Sequence, residues 1–303
     1  MSTIAFLFPG QGAQYVGMGK DLAAELPAAR ELFERADEIL GYSLSEICFH
    51  GPESQLHATD RSQPALYVCS MAALEKLKRD QPEVVARCQA AAGLSLGEYT
   101  AMVFAGAIDF ADGLQLVQAR GRAMQQASER ISSGMVSILG LDESRVTELC
   151  DAARGSDEIL QIANYLCPGN IVISGHQEAC GRAIELAPQH GAMRAVPLTV
   201  AGAFHTEIMR PAVAQLEAAL ADVEIKPLRI PVYSNVDAQS HQSPAELQQI
   251  LISQVCSPVL WQNTMNAMIE AGCTQFYEVG AGKVLKGLLK RIDRKLDCQL
   301  VGA

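Results

Sequence analysis

The sequence predicts an α/β protein in which a largely parallel sheet is interrupted by a smaller unit with the order β-α-β-β-α-β. Three observations carry this prediction. Short apolar, strand-like runs alternate with longer helical patterns along the first part of the chain. Between residues 128 and 199 the alternation gives way to the split βαβ order of a small ferredoxin-like unit. At 303 residues the chain exceeds a typical single domain, so two packed units sharing one sequence are expected.

Ile4–Phe8 reads as the first core strand, closed by Pro9-Gly10; no basic residue precedes it, which separates it from a signal peptide. Leu22–Leu40 and Leu66–Leu77 carry helical patterns. Cys88–Gly93 is a short apolar run ending in glycine, a helical pattern occupies Leu96–Ala105, and Leu114–Ala127 is a further helix. In the middle, Met135–Leu141, Ile159–Ala163, Asn170–Ser174 and Met193–Thr199 read as strands, with helices over Glu143–Ala153 and Gln177–His190. The expected division is a discontinuous large domain, 1–127 with 200–303, and an inserted subdomain, 128–199. No long linker or low-complexity tract separates them, so they are expected to pack tightly.

A hydrophobic fraction of 49% with 19% charged residues suits a globular protein with a sizeable core. No apolar run approaches the ~18 residues needed to span a bilayer. The net charge of -10 argues against nucleic acid or an anionic membrane as the main partner. Nine cysteines are scattered without a C-x-x-C pair, which predicts reduced thiols in a cytoplasmic protein rather than disulfides or a structural metal. One segment opposes the overall charge. Lys283, Lys286, Lys290 and Arg294 share a face of a helical pattern whose other face carries Leu285, Leu288, Leu289, Ile292 and Leu296. A solvated outer face and a dock for an acidic partner or a nucleotide phosphate both fit that pattern.

Gly93-Leu94-Ser95-Leu96-Gly97 matches G-x-S-x-G between a predicted strand and a predicted helix. That context is what a nucleophile elbow requires, since glycines permit a tight turn that projects the serine hydroxyl. Its rival is a plain structural turn. Of six histidines, five sit in polar loops or near helix ends. His205 instead follows the predicted strand through Ala201-Gly202-Ala203-Phe204, a place where open α/β sheets put catalytic groups, and it is the candidate general base. Oxyanion stabilisation needs two N–H donors: Leu96 supplies one in elbow geometry, and the glycine-rich loop Phe8-Pro9-Gly10-Gln11-Gly12 offers Gln11 for the other. That loop completes neither phosphate-binding glycine motif. Arg120 lies on an apolar helical stripe with Leu116, Val117, Ala123 and Met124. A guanidinium there needs a partner, either an internal carboxylate or the carboxylate of a substrate, and periodicity does not choose between them.

Together these segments resemble the malonyl-CoA:acyl carrier protein transacylase family, including the discrete acyltransferases that serve modular polyketide synthases. The matching pieces are Phe8-Pro9-Gly10-Gln11-Gly12-Ala13-Gln14, Gln63-Pro64-Ala65-Leu66, Ser95-Leu96-Gly97-Glu98-Tyr99, Arg120-Gly121, Gly202-Ala203-Phe204-His205 and Glu278-Val279-Gly280-Ala281-Gly282-Lys283-Val284-Leu285. They occur in family order over nearly the whole chain.

The resemblance implies an α/β-hydrolase-like large domain carrying the ferredoxin-like insertion, and transfer of malonyl from malonyl-CoA to the phosphopantetheine thiol of an acyl carrier protein. Ser95 is then the acylated nucleophile and His205 its base, with the backbone carbonyl of Gln254 orienting the imidazole. Gln11 and Leu96 match the oxyanion donors, and Arg120 matches the arginine that holds the malonyl carboxylate. Phe204 resembles the malonyl-selecting version, and Asn164 falls at a position that lines the acyl pocket. Lys283, Lys286 and Lys290 become candidates for carrier docking. No cofactor is implied, since coenzyme A and phosphopantetheine are substrate carriers. The family usually has His immediately before the nucleophile, where this chain has Leu94. With Asn164-Tyr165-Leu166-Cys167-Pro168, that departure leans toward polyketide synthesis, with fatty acid synthesis the alternative. An acyl hydrolase would share Ser95 and His205 but have little use for Arg120.

Overall fold

The computed structural model describes residues 3–302. Five strands, β1 (Thr3–Phe8), β2 (Cys88–Gly93), β7 (Val232–Tyr233), β8 (Cys273–Gly280) and β9 (Asp297–Gly302), form one sheet in the order β7-β2-β1-β8-β9, with every neighbouring pair parallel. Central β1 is buried from Ile4 to Phe8, which explains why it reads as an uninterrupted apolar run: both faces are covered by helices. Phe6 and Phe8 join a core built with the helices Thr59–Asp80 and Phe110–Ser128. Ala5 and Leu7 point the other way, into a second core with Trp261, Met265, Leu285 and Leu289.

The remaining strands, β3 (Ser133–Leu139), β4 (Leu160–Cys167), β5 (Asn170–His176) and β6 (Arg194–Pro197), form a separate antiparallel sheet in the order β4-β5-β3-β6. Its helices, Glu143–Ala153 and Gln177–Leu186, alternate with the strands in the expected β-α-β-β-α-β order. Val136, Ile138, Val146, Leu149, Ile171 and Ile173 give this unit a core of its own.

Several element bounds differ from the sequence expectations, among them the helix expected over Gln177–His190, which ends at Leu186. The pattern Leu22–Leu40 is two helices, Lys20–Glu25 and Pro27–Leu40, because Pro27 starts a helix and does not continue one. Strand β6 stops at Pro197, short of Thr199, within the small sheet where it was expected. The basic helix runs Val284–Ile292 and ends where Asp293 turns extended, so Arg294 and Lys295 lie beyond it. Strands β7, β8 and β9 emerge only in the structure. Among the described residues, no helix is long and apolar enough to cross a membrane.

Candidate active site

Ser95 stands between β2 and the helix Leu96–Phe104 with φ 51° and ψ −102°, a backbone conformation that a residue bearing a Cβ rarely adopts. Close approach of three backbone segments forces that bend. A Cβ on Gly93 would sit 1.8 Å from the carbonyl carbon of Gly97, and one on Gly97 would sit 2.1 Å from the Phe8 carbonyl oxygen. The glycines of the motif are therefore fixed by packing, and the serine between them is pushed outward. Asn235, just beyond the end of β7, completes the elbow. Its Oδ1 accepts from Ser95 N at 2.6 Å, and its Nδ2 donates to the Gly93 carbonyl at 2.7 Å.

His205 Nε2 lies 2.9 Å from Ser95 Oγ, and Nδ1 lies 2.9 Å from the backbone carbonyl of Gln254. A carbonyl only accepts, so Nδ1 carries the proton and Nε2 offers its lone pair to the serine hydroxyl. Burial above all, and then the Arg120 charge, hold the imidazole down at about 4 against the opposing carbonyls of Gln254 and Ser257. His205 is therefore a neutral base over the physiological range. It follows the last strand of the small unit and not a strand of the parallel sheet. It sits at φ 62° in the loop that returns from β6 of the small sheet.

Arg120 is 1% exposed. Its Nη1 donates to Gln63 Oε1 at 2.8 Å, and its Nη2 donates to Ser95 Oγ at 2.9 Å and to Gln254 Oε1 at 2.8 Å. Its Nε has no partner, and the guanidinium lies 5.3 Å from the centroid of the Tyr99 ring. Among the described residues no carboxylate forms an ion pair with it: every acceptor is neutral. Glu98 attracts it without contact. The choice left open by periodicity thus goes against an internal ion pair. A buried cation without a touching anion, beside a nucleophile, is suited to a substrate carboxylate.

Gln11, Leu94, Ser95, Leu96, Arg120, Asn164, Phe204 and His205 all line one cavity of about 180 Å³. Leu96 opens the helix after the serine, so its N–H is among those with no intrahelical acceptor. The Gln11 side chain donates to Thr59 Oγ1 at 3.5 Å. Gln254 sits behind His205, fully buried. The cations of the helix Val284–Ile292 are placed differently. Val284 and Leu288 face the serine cavity, whereas Lys286 and Lys290 line a separate cleft with Arg294 and Lys295, and Lys283 is an exposed residue at the helix start. Among the described residues, no cluster of three or more His, Cys, Asp or Glu could hold a metal.

Sequence reasoning missed Gln63, Asn235, Glu98 and the side chain of Gln254. Gln63 and Glu98 stand inside motifs already singled out, and a polar residue on a buried helix is itself a signal. Asn235 follows a two-residue strand too short to read, so its strand-end position left no trace.

An acyl transferase domain model matches residues 5–302. The chain is 44% identical over 298 residues to the malonyl CoA-acyl carrier protein transacylase of Bacillus subtilis, covering 98% of this chain and 92% of that one. It is 45% identical over 295 residues to the mitochondrial malonyl-CoA-acyl carrier protein transacylase of Homo sapiens, covering 94% of this chain and 75% of that one. Among solved structures, an acyl-carrier-protein-S-malonyltransferase from Bartonella henselae superposes with a TM-score of 0.94 at 38% identity, over 99% of this chain and 96% of that one. A malonyl-transacylase solved in complex with its type II PKS acyl-carrier protein gives 0.94 at 37% identity, over 99% and 96%.

Proposed function

Because the chain belongs to the acyl transferase domain family, matched over nearly its whole length, we propose that it moves malonyl from malonyl-CoA to the phosphopantetheine thiol of an acyl carrier protein. The observation that carries this reading is Arg120 Nη2 at 2.9 Å from Ser95 Oγ, a buried cation beside a nucleophile that His205 also touches.

The thioester carbonyl enters the cavity with its free carboxylate on Arg120. Ser95 Oγ attacks the carbonyl carbon while its proton passes to His205 Nε2. The N–H groups of Leu96 and Gln11 are the donors assigned to the oxyanion. The carbon–sulfur bond breaks, and coenzyme A leaves as the thiol, taking the proton back from His205. In the second half the carrier thiol gives its proton to His205 and attacks the malonyl-serine ester, and the serine oxygen is reprotonated as it leaves. Thioester is exchanged for thioester, so excluding water decides transfer over hydrolysis. The apolar lining, with Met124, Leu166, Val172 and Leu198, favours that exclusion. No resident cofactor is required, since coenzyme A and phosphopantetheine carry the substrate in and out.

Relatives named malonyl CoA-acyl carrier protein transacylase, in a bacterium and in mitochondria, support the fatty acid context over the polyketide one suggested by Leu94. Separate sheets and cores support the division into 1–127 with 200–303 and 128–199. Nine unpaired cysteines, nearly all buried, suit a cytoplasmic setting. Carrier docking at Lys283, Lys286 and Lys290 rests on charge alone, and Lys286→Glu with Lys290→Glu is expected to weaken carrier transfer while sparing serine loading.

Incubation with malonyl-CoA followed by intact-mass spectrometry tests the function. A malonyl adduct that maps to Ser95, disappears in Ser95→Ala and is discharged by a holo carrier protein supports it. Release of free malonate at the rate of loading, with or without the carrier, would make the protein a hydrolase.

A further inference from the structure

We infer that Glu98 is a positioning residue for the reaction: its buried carboxylate fixes the Gln254 side-chain amide, and through it the clamp and the base. The inference rests on the malonyl-transfer reading above.

Glu98 lies in the first turn of the helix that follows Ser95 and is 0% exposed. Its Oε2 accepts from Gln254 Nε2 at 2.5 Å and from the Asn235 backbone N–H at 3.2 Å, and its Oε1 has no partner. A carboxylate held in an apolar core at this cost is a group whose function lies in its donors. One of those donors belongs to the residue that ties the site together. Gln254 Nε2 also donates to the Ser95 carbonyl at 3.1 Å, its Oε1 accepts from Arg120 at 2.8 Å, and its main-chain carbonyl accepts from His205 at 2.9 Å.

A glutamine amide has two nearly isosteric orientations that exchange donor and acceptor. Only one serves here. With Oε1 toward Arg120 the guanidinium gains an acceptor; in the other, an NH2 group would face an N–H of Arg120 and drive it away. Arg120, a donor-only group, opposes that flip from the Oε1 end, and the Ser95 carbonyl opposes it from the Nε2 end. Glu98 adds the shortest contact at that end, and its ionised carboxylate, which only accepts, leaves the same single orientation satisfied. The second donor to Oε2, Asn235, holds the elbow through Ser95 N, so one carboxylate oxygen aligns nucleophile, base and clamp.

The test is a double-mutant cycle on the rate of Ser95 malonyl loading, read by rapid quench and mass spectrometry, with Glu98→Met, Gln254→Met, the double variant and Glu98→Gln. Glu98→Met is expected to slow malonyl loading about 30-fold, with a rise in KM as well as a fall in kcat, and acetyl loading less. Gln254→Met also removes the bonds to Arg120 and the Ser95 carbonyl, so the double variant should be no slower than Gln254→Met alone if Glu98 acts through Gln254. Glu98→Gln, which still offers an acceptor to Gln254, should recover loading to within about fivefold of wild type. Losses that multiply in the double variant, Glu98→Met at the wild-type rate, or Glu98→Gln as slow as Glu98→Met would each overturn the inference. Should Glu98→Met not fold, Glu98→Asp, with its carboxylate withdrawn by one methylene, takes its place in the cycle. A wild-type protein that forms no malonyl-serine sinks the malonyl reading and this inference together, whereas normal wild-type loading with an indifferent Glu98 variant sinks the inference alone.

Discussion

Nη2 of Arg120 donates to Oγ of Ser95 at 2.9 Å, so the cation assigned to the substrate also touches the nucleophile. With that lone pair occupied, the serine O–H is left to point at His205 Nε2. An incoming carboxylate competes for the same guanidinium. Arg120→Ala should therefore slow Ser95 loading from malonyl-CoA by about 100- to 1000-fold and from acetyl-CoA by less than about tenfold. Parallel measurement of both acylation rates checks it; equal losses would remove the clamp.

Arg120 also lacks a touching anion, and burial lowers its proton affinity. Arg120→Met should accordingly stabilise the fold by about 1 kcal/mol while malonyl transfer collapses. Calorimetry on the two proteins decides this. A clear loss of melting temperature would mean that the three neutral acceptors compensate the charge fully.

The Ser95 backbone holds φ at 51°. Glycine occupies that region without penalty, so Ser95→Gly should raise stability by about 1 kcal/mol relative to Ser95→Ala, both being unable to form the adduct. Chemical denaturation of the pair provides the measurement.

Gly97→Ala is expected to fail in the opposite direction. Its methyl group would meet the Phe8 carbonyl oxygen at 2.1 Å, and both atoms belong to packed backbone. A loss of at least ~3 kcal/mol, seen as a shifted denaturation midpoint or no recoverable folded protein, follows from that overlap.

Two buried groups set opposite pH dependences. Burial raises the Glu98 carboxyl to about 7, against the opposing donors Gln254 and Asn235 and the Arg120 charge, while Asp237 adds to the rise. A raised carboxyl binds its proton more tightly in the folded state, so its contribution is fully present below about 4.5 and declines as pH climbs to about 7. His205, lowered from 6.5 to about 4, contributes stability above 6.5 that is lost as pH falls toward 4. Urea titrations should show this decline between pH 4.5 and 7, and Glu98→Gln should flatten it, an effect on the order of a few kcal/mol. An unchanged slope would show that Glu98 titrates normally.

Phe204 bounds the cavity beside His205. Phe204→Ala should raise loading from methylmalonyl-CoA relative to malonyl-CoA by about tenfold, the scale of one methyl group in a fitted pocket. Competition between the two thioesters, read by the mass of the adduct, measures the ratio.

The elbow was legible because its glycines are spaced by local packing, and the strand and helix on either side carry their own patterns. The insertion was legible for the same reason: periodicity changes where the sheet changes. The strand before His205 was legible as the last of the small unit, whereas the φ of 62° that turns its imidazole toward Ser95 leaves no mark in the sequence. The partners of Arg120 were not legible. Gln63 and Gln254 lie 57 and 134 residues away from it, and their meeting depends on how the helices cross. Asn235 was hidden by the brevity of β7.

Met135, Asn164, Leu166, Val172 and Leu198 line the cavity from the inserted unit or the loop leaving it, whereas Ser95, Arg120 and Gln254 belong to the surrounding one. The room proposed for the acyl chain is thus walled by one part of the protein and wired by another. Substitutions at these wall positions can retune which guests are admitted without rewiring the proton path, so a change of diet is open to this architecture through side chains that take no part in bond making.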